Sequence, residues 1–179
     1  MFSELFSAVW SVLRGPVLFA SSFLNDTLFV AAFTILLVLA LSLFFREEKR
    51  LPFLVCAVAI ALLLGFGFKL FLQEERPCVD KPGKIACPTD FSLPSLHALL
   101  AFTLVVVSVG SRSFAPYLIY ALFVSFSRVY LGVHTIPQVM AGLALAFFAC
   151  VFTEILWRSM KLKIPSEVLL QHDMNRLQK

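Results

Sequence analysis

The chain has 179 residues, of which 60% are apolar, twenty are phenylalanine and only 15% are charged, and its mean hydropathy is +0.90. A soluble domain of this length cannot bury that much apolar surface, so composition excludes a soluble globular protein and points to an integral membrane one. The formal net charge of +4 then bears on membrane orientation and not on nucleic acid.

Residues 1–24 hold Phe2, Phe6, Trp10 and Phe19 but are interrupted by Glu4, Arg14, Gly15 and Pro16. Proline breaks a helix and an arginine at mid-bilayer is costly, so this segment is expected to lie in the interface more than to cross. It has no basic start followed by a small-residue cleavage site, so no cleavable leader is expected. Asn25-Asp26-Thr27 is a helix start, and Thr27 to Phe45 is an apolar run long enough to span, ended by Arg46–Arg50. Leu51 to Leu72 is the second span, with Gly65 and Gly67 expected to let a neighbouring helix approach. Gln73 to Ser92 reads as a polar loop in which Pro77, Pro82, Gly83 and Pro88 exclude regular structure. Further spans are expected at Pro94–Gly110, Phe114–Leu131 and Ile136–Trp157, followed by a polar tail over 158–179. The expected fold class is therefore all-α: a polytopic membrane helical bundle, one domain over residues 1–179. It has about five transmembrane helices plus an N-terminal helix that is interfacial or spanning.

This topology collects Arg46, Lys49, Arg50, Arg112, Arg158, Lys161, Lys163, Arg176 and Lys179 on one side, which the positive-inside rule makes cytoplasmic. Lys69, Arg76 and Arg128 then lie at the opposite ends of spans, where that rule gives no reason for basic residues. One such residue commonly snorkels to headgroups; three near two histidines suggest an anion site.

Lys69 and Arg76 are two helical turns apart and would project from one face at the end of the second span, where an ammonium and a guanidinium fork can grip one phosphate. Pro94-Ser95-Leu96-His97 opens the third span. Its early backbone amides, such as that of Leu96, and the Ser95 hydroxyl could receive an anion, with His97 placed to protonate a leaving oxygen. Alone, the same residues also describe an ordinary capped helix with an interfacial histidine. Ser127 and Arg128 near the end of the fourth span and His134 before the fifth, with Gly132 turning the chain between them, supply a nucleophilic imidazole beside cations. No metal or other cofactor is needed for this chemistry.

The ordered set Lys69-x(6)-Arg76-Pro77, Pro94-Ser95-Leu96-His97 and Ser127-Arg128-x(5)-His134 resembles the type 2 phosphatidic acid phosphatase superfamily, membrane enzymes that dephosphorylate lipids through a phosphohistidine. The match covers residues 69–138. The resemblance implies His134 as nucleophile and His97 as general acid, with Lys69, Arg76, Ser95, Leu96, Arg128 and, more weakly, Ser127 as phosphate ligands. Two positions depart from the family pattern. Leu96 stands where glycine is usual, which would narrow the pocket. Gln138 stands where an Asp usually orients the nucleophile; it can fix the imidazole tautomer without charge, and Thr135-Ile136-Pro137-Gln138 also has capping-box spacing, so both roles can coexist. A Gln138→Asp change is expected to keep or raise activity. SRVYLGVHTIPQV and QEERPC are similar to the dolichyl diphosphatase branch, which implies a polyprenyl diphosphate substrate cleaved on the non-cytoplasmic face, in a cell membrane or in the endoplasmic reticulum.

Cys78 and Cys87 are either bridged or two free thiols, and Cys56 and Cys150 lie within spans. Lys81 and Lys84 share their loop with Glu74, Glu75, Asp80 and Asp90, which reads as a solvated mixed-charge segment more than a second phosphate site. Glu154 is expected to snorkel or to pair with Arg158 one turn on, away from the chemistry, and His172 to be solvated. Competing readings are a phosphatidic acid or phosphatidylglycerophosphate phosphatase, a catalytically inactive lipid-phosphate-binding protein, and a transporter. The last would spread ionisable groups through the bundle's depth instead of gathering them at one end. The expected partners are a lipid diphosphate or monophosphate and the bilayer; neither nucleic acid nor a protein partner is indicated.

Overall fold

The computed structural model of the chain describes residues 14–19, 21, 27–46, 50–80 and 84–162, and every regular element among them is helical. In chain order these are α1 (Thr27–Phe45), α2 (Leu51–Leu72), α3 (Pro77–Asp80), α4 (Leu96–Val107), α5 (Phe114–Tyr130) and α6 (Ile136–Leu162), after a short helical stretch at residues 14–19. α2 and α6 are long and apolar enough to cross a bilayer; α1, α4 and α5 are shorter apolar helices. Phe71, Phe44 and Leu63 point outward with exposures of 83%, 79% and 74%. Such surface belongs against lipid, and the architecture is the all-α membrane bundle expected from composition. Most of the 1–24 segment, Asn25-Asp26, Lys81 and the tail from residue 163, with His172, lie outside the described residues.

α4 is the centre of the bundle and packs against α2, α5 and α6, burying Ala98, Leu99, Ala101, Phe102 and Leu104. Between helices in lipid, close van der Waals contact replaces the hydrophobic drive, so small residues mark the contact faces. On α2, Ala57, Ala61, Gly65 and Lys69 recur at every fourth position and all are buried. The stripe that seats α2 on α4 therefore also carries Lys69 inward. At Gly65 a Cβ would lie 2.5 Å from Leu99 Cδ2 and 2.6 Å from Leu96 Cδ2, so glycine makes room for α4 there. Gly67 has nothing near its missing Cβ and, contrary to the sequence expectation, takes no part in the contact. α1 is tied to α5 by a 2.6 Å hydrogen bond between Thr34 Oγ1 and the Tyr120 hydroxyl.

α4 is shorter than its predicted span at both ends. Ser95 holds the N-cap position with extended backbone, φ −70° and ψ 106°, which leaves Pro94 outside the helix. At the other end Ser108 Oγ donates back to the Val105 carbonyl at 2.9 Å, a local bond that competes with helix continuation, and Gly110 turns the chain at φ 74°. The loop before α4 is not wholly irregular, because Pro77, with its φ preset, starts the single turn of α3 instead of only ending α2. Of the two outcomes expected for Glu154, the exposed pair with Arg158 forms, at 2.7 Å.

Gly142 of α6 presses on the first turn of α4. A Cβ there would come within 2.9 Å of the Ser95 carbonyl oxygen and 3.1 Å of the Leu99 amide nitrogen, both backbone atoms that cannot rotate away. Gly142→Ala is expected to cost about 1–3 kcal/mol of stability and to lower the melting temperature in detergent. An unchanged melting temperature would show that α6 has slack against α4.

Candidate active site

Lys69 lies in the last turn of α2 on its packed face and is 5% exposed. The helix ends at Leu72 because Gln73 adopts a left-handed conformation, φ 47° and ψ 34°, and returns its amide to the Lys69 carbonyl. Arg76 is thus past the helix end, and the expectation that it shares a continuous helical face with Lys69 is corrected. What brings the two together is Asp90: one carboxylate oxygen takes Lys69 Nζ, and the other takes Arg76 Nη2 at 2.6 Å. Arg76 Nε also donates to the Asp90 carbonyl at 2.8 Å, and Lys69 Nζ to the Phe91 carbonyl.

The turn carrying His134 is fixed from two directions. Gly132 takes φ 78°, and the amides of Val133 and His134 both donate to the Arg128 carbonyl at 3.3 Å, which closes the turn onto the end of α5. Leu131 and Val133 are fully buried against Cys78, which is bridged to Cys87, and the Lys84 amide donates to the Leu131 carbonyl at 3.1 Å. The loop after Arg76 is thereby fastened to the turn before His134. The Lys84 ammonium lies over the Tyr130 ring, 3.1 Å from its centroid, and joins the same junction.

Arg76 Nη1 donates to the Val133 carbonyl at 3.2 Å and lies 3.0 Å from His134 Nε2. A guanidinium only donates, so Nε2 is the acceptor and the ring proton sits on Nδ1, which faces Gln138 Oε1 at 3.3 Å. Gln138 Oε1 also accepts the Thr135 amide at 2.9 Å, the half of a capping box that its spacing suggests, so one oxygen serves both purposes. Burial, followed by the charges of Arg76, Lys69 and Arg128, pushes the His134 imidazole down to about 3. It is neutral over the physiological range, with its lone pair at Nε2. For Asp90, burial pushes the carboxyl up, but the Lys69 hydrogen bond and the charges of Arg76 and Lys69 outweigh it and hold it below the usual carboxylate range.

His97 stands in the first turn of α4, within electrostatic reach of Arg128, Arg76 and Lys69, the same three cations that act on His134. The two imidazoles therefore address one cluster. Ser95 Oγ and His97 Nε2 are buried polar atoms with no hydrogen-bond partner among the described residues. Arg128 is 1% exposed, with its carbonyl holding the His134 turn. Ser127 differs from its expected role: its hydroxyl donates to the Val124 carbonyl at 2.7 Å and accepts from Arg128 Nε at 3.5 Å, which leaves it no hydrogen for an anion. The Leu96 side chain packs where Gly65 has none, so its extra bulk is taken up between α2 and α4.

Three residues to which the sequence assigned no role at the site belong to the same assembly. Asp90 joins the two cations, Ser92 Oγ shares its one hydrogen between the Glu74 and Glu75 carbonyls at 3.0 and 2.9 Å, and the Glu74 carboxylate accepts Gln138 Nε2 at 2.6 Å. Beside the cluster, an apolar groove of about 350 Å³ runs between α2 and α6, lined by Phe68, Leu72, Leu93, Pro94, Ala141 and Phe148. Two of its lining residues, Phe68 and Pro94, directly precede Lys69 and Ser95 in the chain.

Residues 50–161 match the profile of the PAP2 superfamily. The chain is 33% identical over 140 residues to a protein of Sulfolobus acidocaldarius named undecaprenyl-diphosphatase; the match covers 74% of this chain and 65% of that protein, just under two thirds of the relative's length. Among solved structures it is similar to Aquifex aeolicus LpxE, with a TM-score of 0.63, 23% identity and coverage of 76% of this chain and 84% of that one. It is also similar to the PAP2-type phosphatidylglycerolphosphate phosphatase of Bacillus subtilis, with a TM-score of 0.58, 18% identity and coverage of 90% and 88%. At these identities the structural likenesses speak to the fold.

Proposed function

The chain belongs to the PAP2 superfamily, and from that premise we propose that it is a lipid phosphatase that hydrolyses a polyprenyl diphosphate to the monophosphate. The observation that carries this reading is a neutral imidazole whose Nε2 accepts from Arg76, three buried cations that act on both His134 and His97, and the unpartnered Ser95 Oγ and His97 Nε2. The named activity of the Sulfolobus acidocaldarius relative supports the polyprenyl choice. The apolar groove beside Lys69 and Ser95 supports a lipid one, since a prenyl tail lying there would leave its diphosphate at the cations.

In this mechanism Lys69, Arg76, Arg128, Ser95 and the Leu96 amide hold the terminal phosphate, whose phosphorus faces His134 Nε2. The Nε2–phosphorus bond forms as the bond to the bridging oxygen breaks, and His97 gives that oxygen its proton. Water then attacks phosphorus and returns a proton to His97, the phosphorus–nitrogen bond breaks, and inorganic phosphate leaves with the enzyme restored. The cations stabilise charge on the equatorial oxygens in both steps. Basic residues such as Arg46, Arg50, Arg112 and Arg158 lie at the opposite helix ends, so the positive-inside rule supports an extracytoplasmic site.

Phosphate release from a panel of polyprenyl diphosphate, polyprenyl monophosphate, phosphatidic acid and phosphatidylglycerophosphate tests the proposal. The diphosphate is expected to be cleaved fastest. Faster cleavage of a glycerophospholipid would reassign the substrate, and no release from any of them would refute the enzyme reading.

Asp90 gives a separate expectation. Its two oxygens lie on Lys69 and Arg76, so a phosphate taking those cations must displace them. The carboxylate is 54% exposed and its hold correspondingly modest, in the range of about 0.2–1 kcal/mol. Asp90→Asn is expected to tighten binding of inorganic phosphate or vanadate by up to about fivefold. Weaker binding in calorimetry would mean that Asp90 positions the cations more than it competes for them.

A further inference from the structure

Gln138 leaves a charge problem at the nucleophile. When Nε2 bonds to phosphorus the imidazole becomes cationic, and it does so beside Arg76, Lys69 and Arg128. An amide oxygen on Nδ1–H orients the ring but brings no countercharge.

The structure places the missing carboxylate one residue further out. Gln138 is 3% exposed and its amide is fully committed: Oε1 accepts Thr135 N and faces His134 Nδ1, while Nε2 donates to Glu74 Oε1 at 2.6 Å and to Ser92 Oγ at 3.0 Å. This pattern leaves no ambiguity in the amide's orientation. The Thr135 N–H needs an oxygen and the Glu74 carboxylate needs a donor, so a flipped amide would oppose both. Glu74 is itself held in place, because the Ser92 amide and hydroxyl both donate to its carbonyl, at 2.8 and 3.0 Å.

We propose that Glu74 is a positioning residue for the nucleophile, the outer member of a Glu74–Gln138–His134 chain. Its carboxylate polarises the Gln138 amide and thereby supplies, through Oε1, the negative countercharge for the phosphorylated imidazole. The proton on Nδ1 stays there throughout; no proton passes to Glu74. Hydrogen bonds in series reinforce one another, so the ionised end strengthens the bond at the ring. This inference rests on the histidine-phosphatase reading above.

It also revises the expectation for Gln138→Asp. An acidic residue at 138 would meet the Glu74 carboxylate, so its benefit depends on removing that charge.

The test is an isosteric charge exchange, assayed on polyprenyl diphosphate with wild type and His134→Ala alongside. Glu74→Gln keeps the side chain's shape and an acceptor oxygen, and is expected to lower kcat by about 10- to 100-fold with little change in KM. Gln138→Glu sets two carboxylates against each other and is expected to lose activity as well. The double variant Glu74→Gln/Gln138→Glu moves the charge one residue inward and is expected to recover to within a few-fold of wild type. A Glu74→Gln enzyme with wild-type kcat, or a double variant no better than the single ones, overturns the proposal. A purely structural role for Glu74 predicts the first of these results.

Turnover is not the only readout. The chain has three histidines, so nitrogen-15 labelling of histidine gives a resolvable spectrum. In Glu74→Gln the His134 Nδ1 resonance is expected to shift while that of His97 holds; an unmoved His134 resonance refutes the relay. An inactive wild type in which Glu74→Gln still moves the His134 resonance would refute the enzyme reading and leave the relay standing.

Discussion

His134→Ala is expected to abolish phosphate release, a loss on the order of 10⁴-fold or more. The size follows from the chemistry assigned to Nε2. It carries a lone pair held toward Arg76, and without it the proposed covalent intermediate cannot form. The variant should still fold. Its backbone amide keeps the bond to the Arg128 carbonyl, and Leu131 and Val133 stay buried against Cys78. A melting temperature near that of wild type is the control. Wild type incubated briefly with phosphorus-labelled substrate and quenched is expected to carry an acid-labile, alkali-stable label on His134, and the variant none. Residual turnover above about 1% of wild type, or a label on another residue, would remove His134 from its assigned role.

The parts of this site legible in the sequence are those whose chemistry is local. His134, His97, Arg128 and Lys69 are ionisable residues at the ends of apolar runs, where lipid leaves little reason for charge other than an anion or a partner. The spans were legible for the same reason: α1 and α2 run between the polar residues that flank them. What could not be read depends on chain reversals. The left-handed Gln73 puts Arg76 past the end of α2, so its pairing with Lys69 comes from Asp90 and not from helical periodicity. Glu74 and Asp90 lie in a loop whose mixed charges look like ordinary solvation. Only the placement of residues 73–80 and 84–92 against the starts of α4 and α6 shows that one carboxylate faces the cations and the other the Gln138 amide. Likewise Gly142 stands in an apolar run with nothing to distinguish it until α4 is seen against it.

Arg76→Lys is expected to lower kcat/KM by about 10²- to 10³-fold although it keeps the positive charge. Arg76 is 7% exposed and uses all three of its nitrogens: Nε on the Asp90 carbonyl, Nη2 on the Asp90 carboxylate, and Nη1 on the Val133 carbonyl and His134 Nε2. A lysine offers one ammonium on a differently shaped stem and cannot span the position of the Asp90 carboxylate and the His134 turn together. Either the phosphate loses a bidentate partner or the Val133 carbonyl loses its donor, the latter costing about 1–3 kcal/mol if left buried and unpaired. The two failures separate experimentally. Loss of the fork alone lowers turnover with the melting temperature unchanged, whereas loss of the turn contact lowers both. Retention of wild-type kcat/KM would show that charge suffices at this position, and the geometric case for Arg76 as a fork joining phosphate and nucleophile would fail.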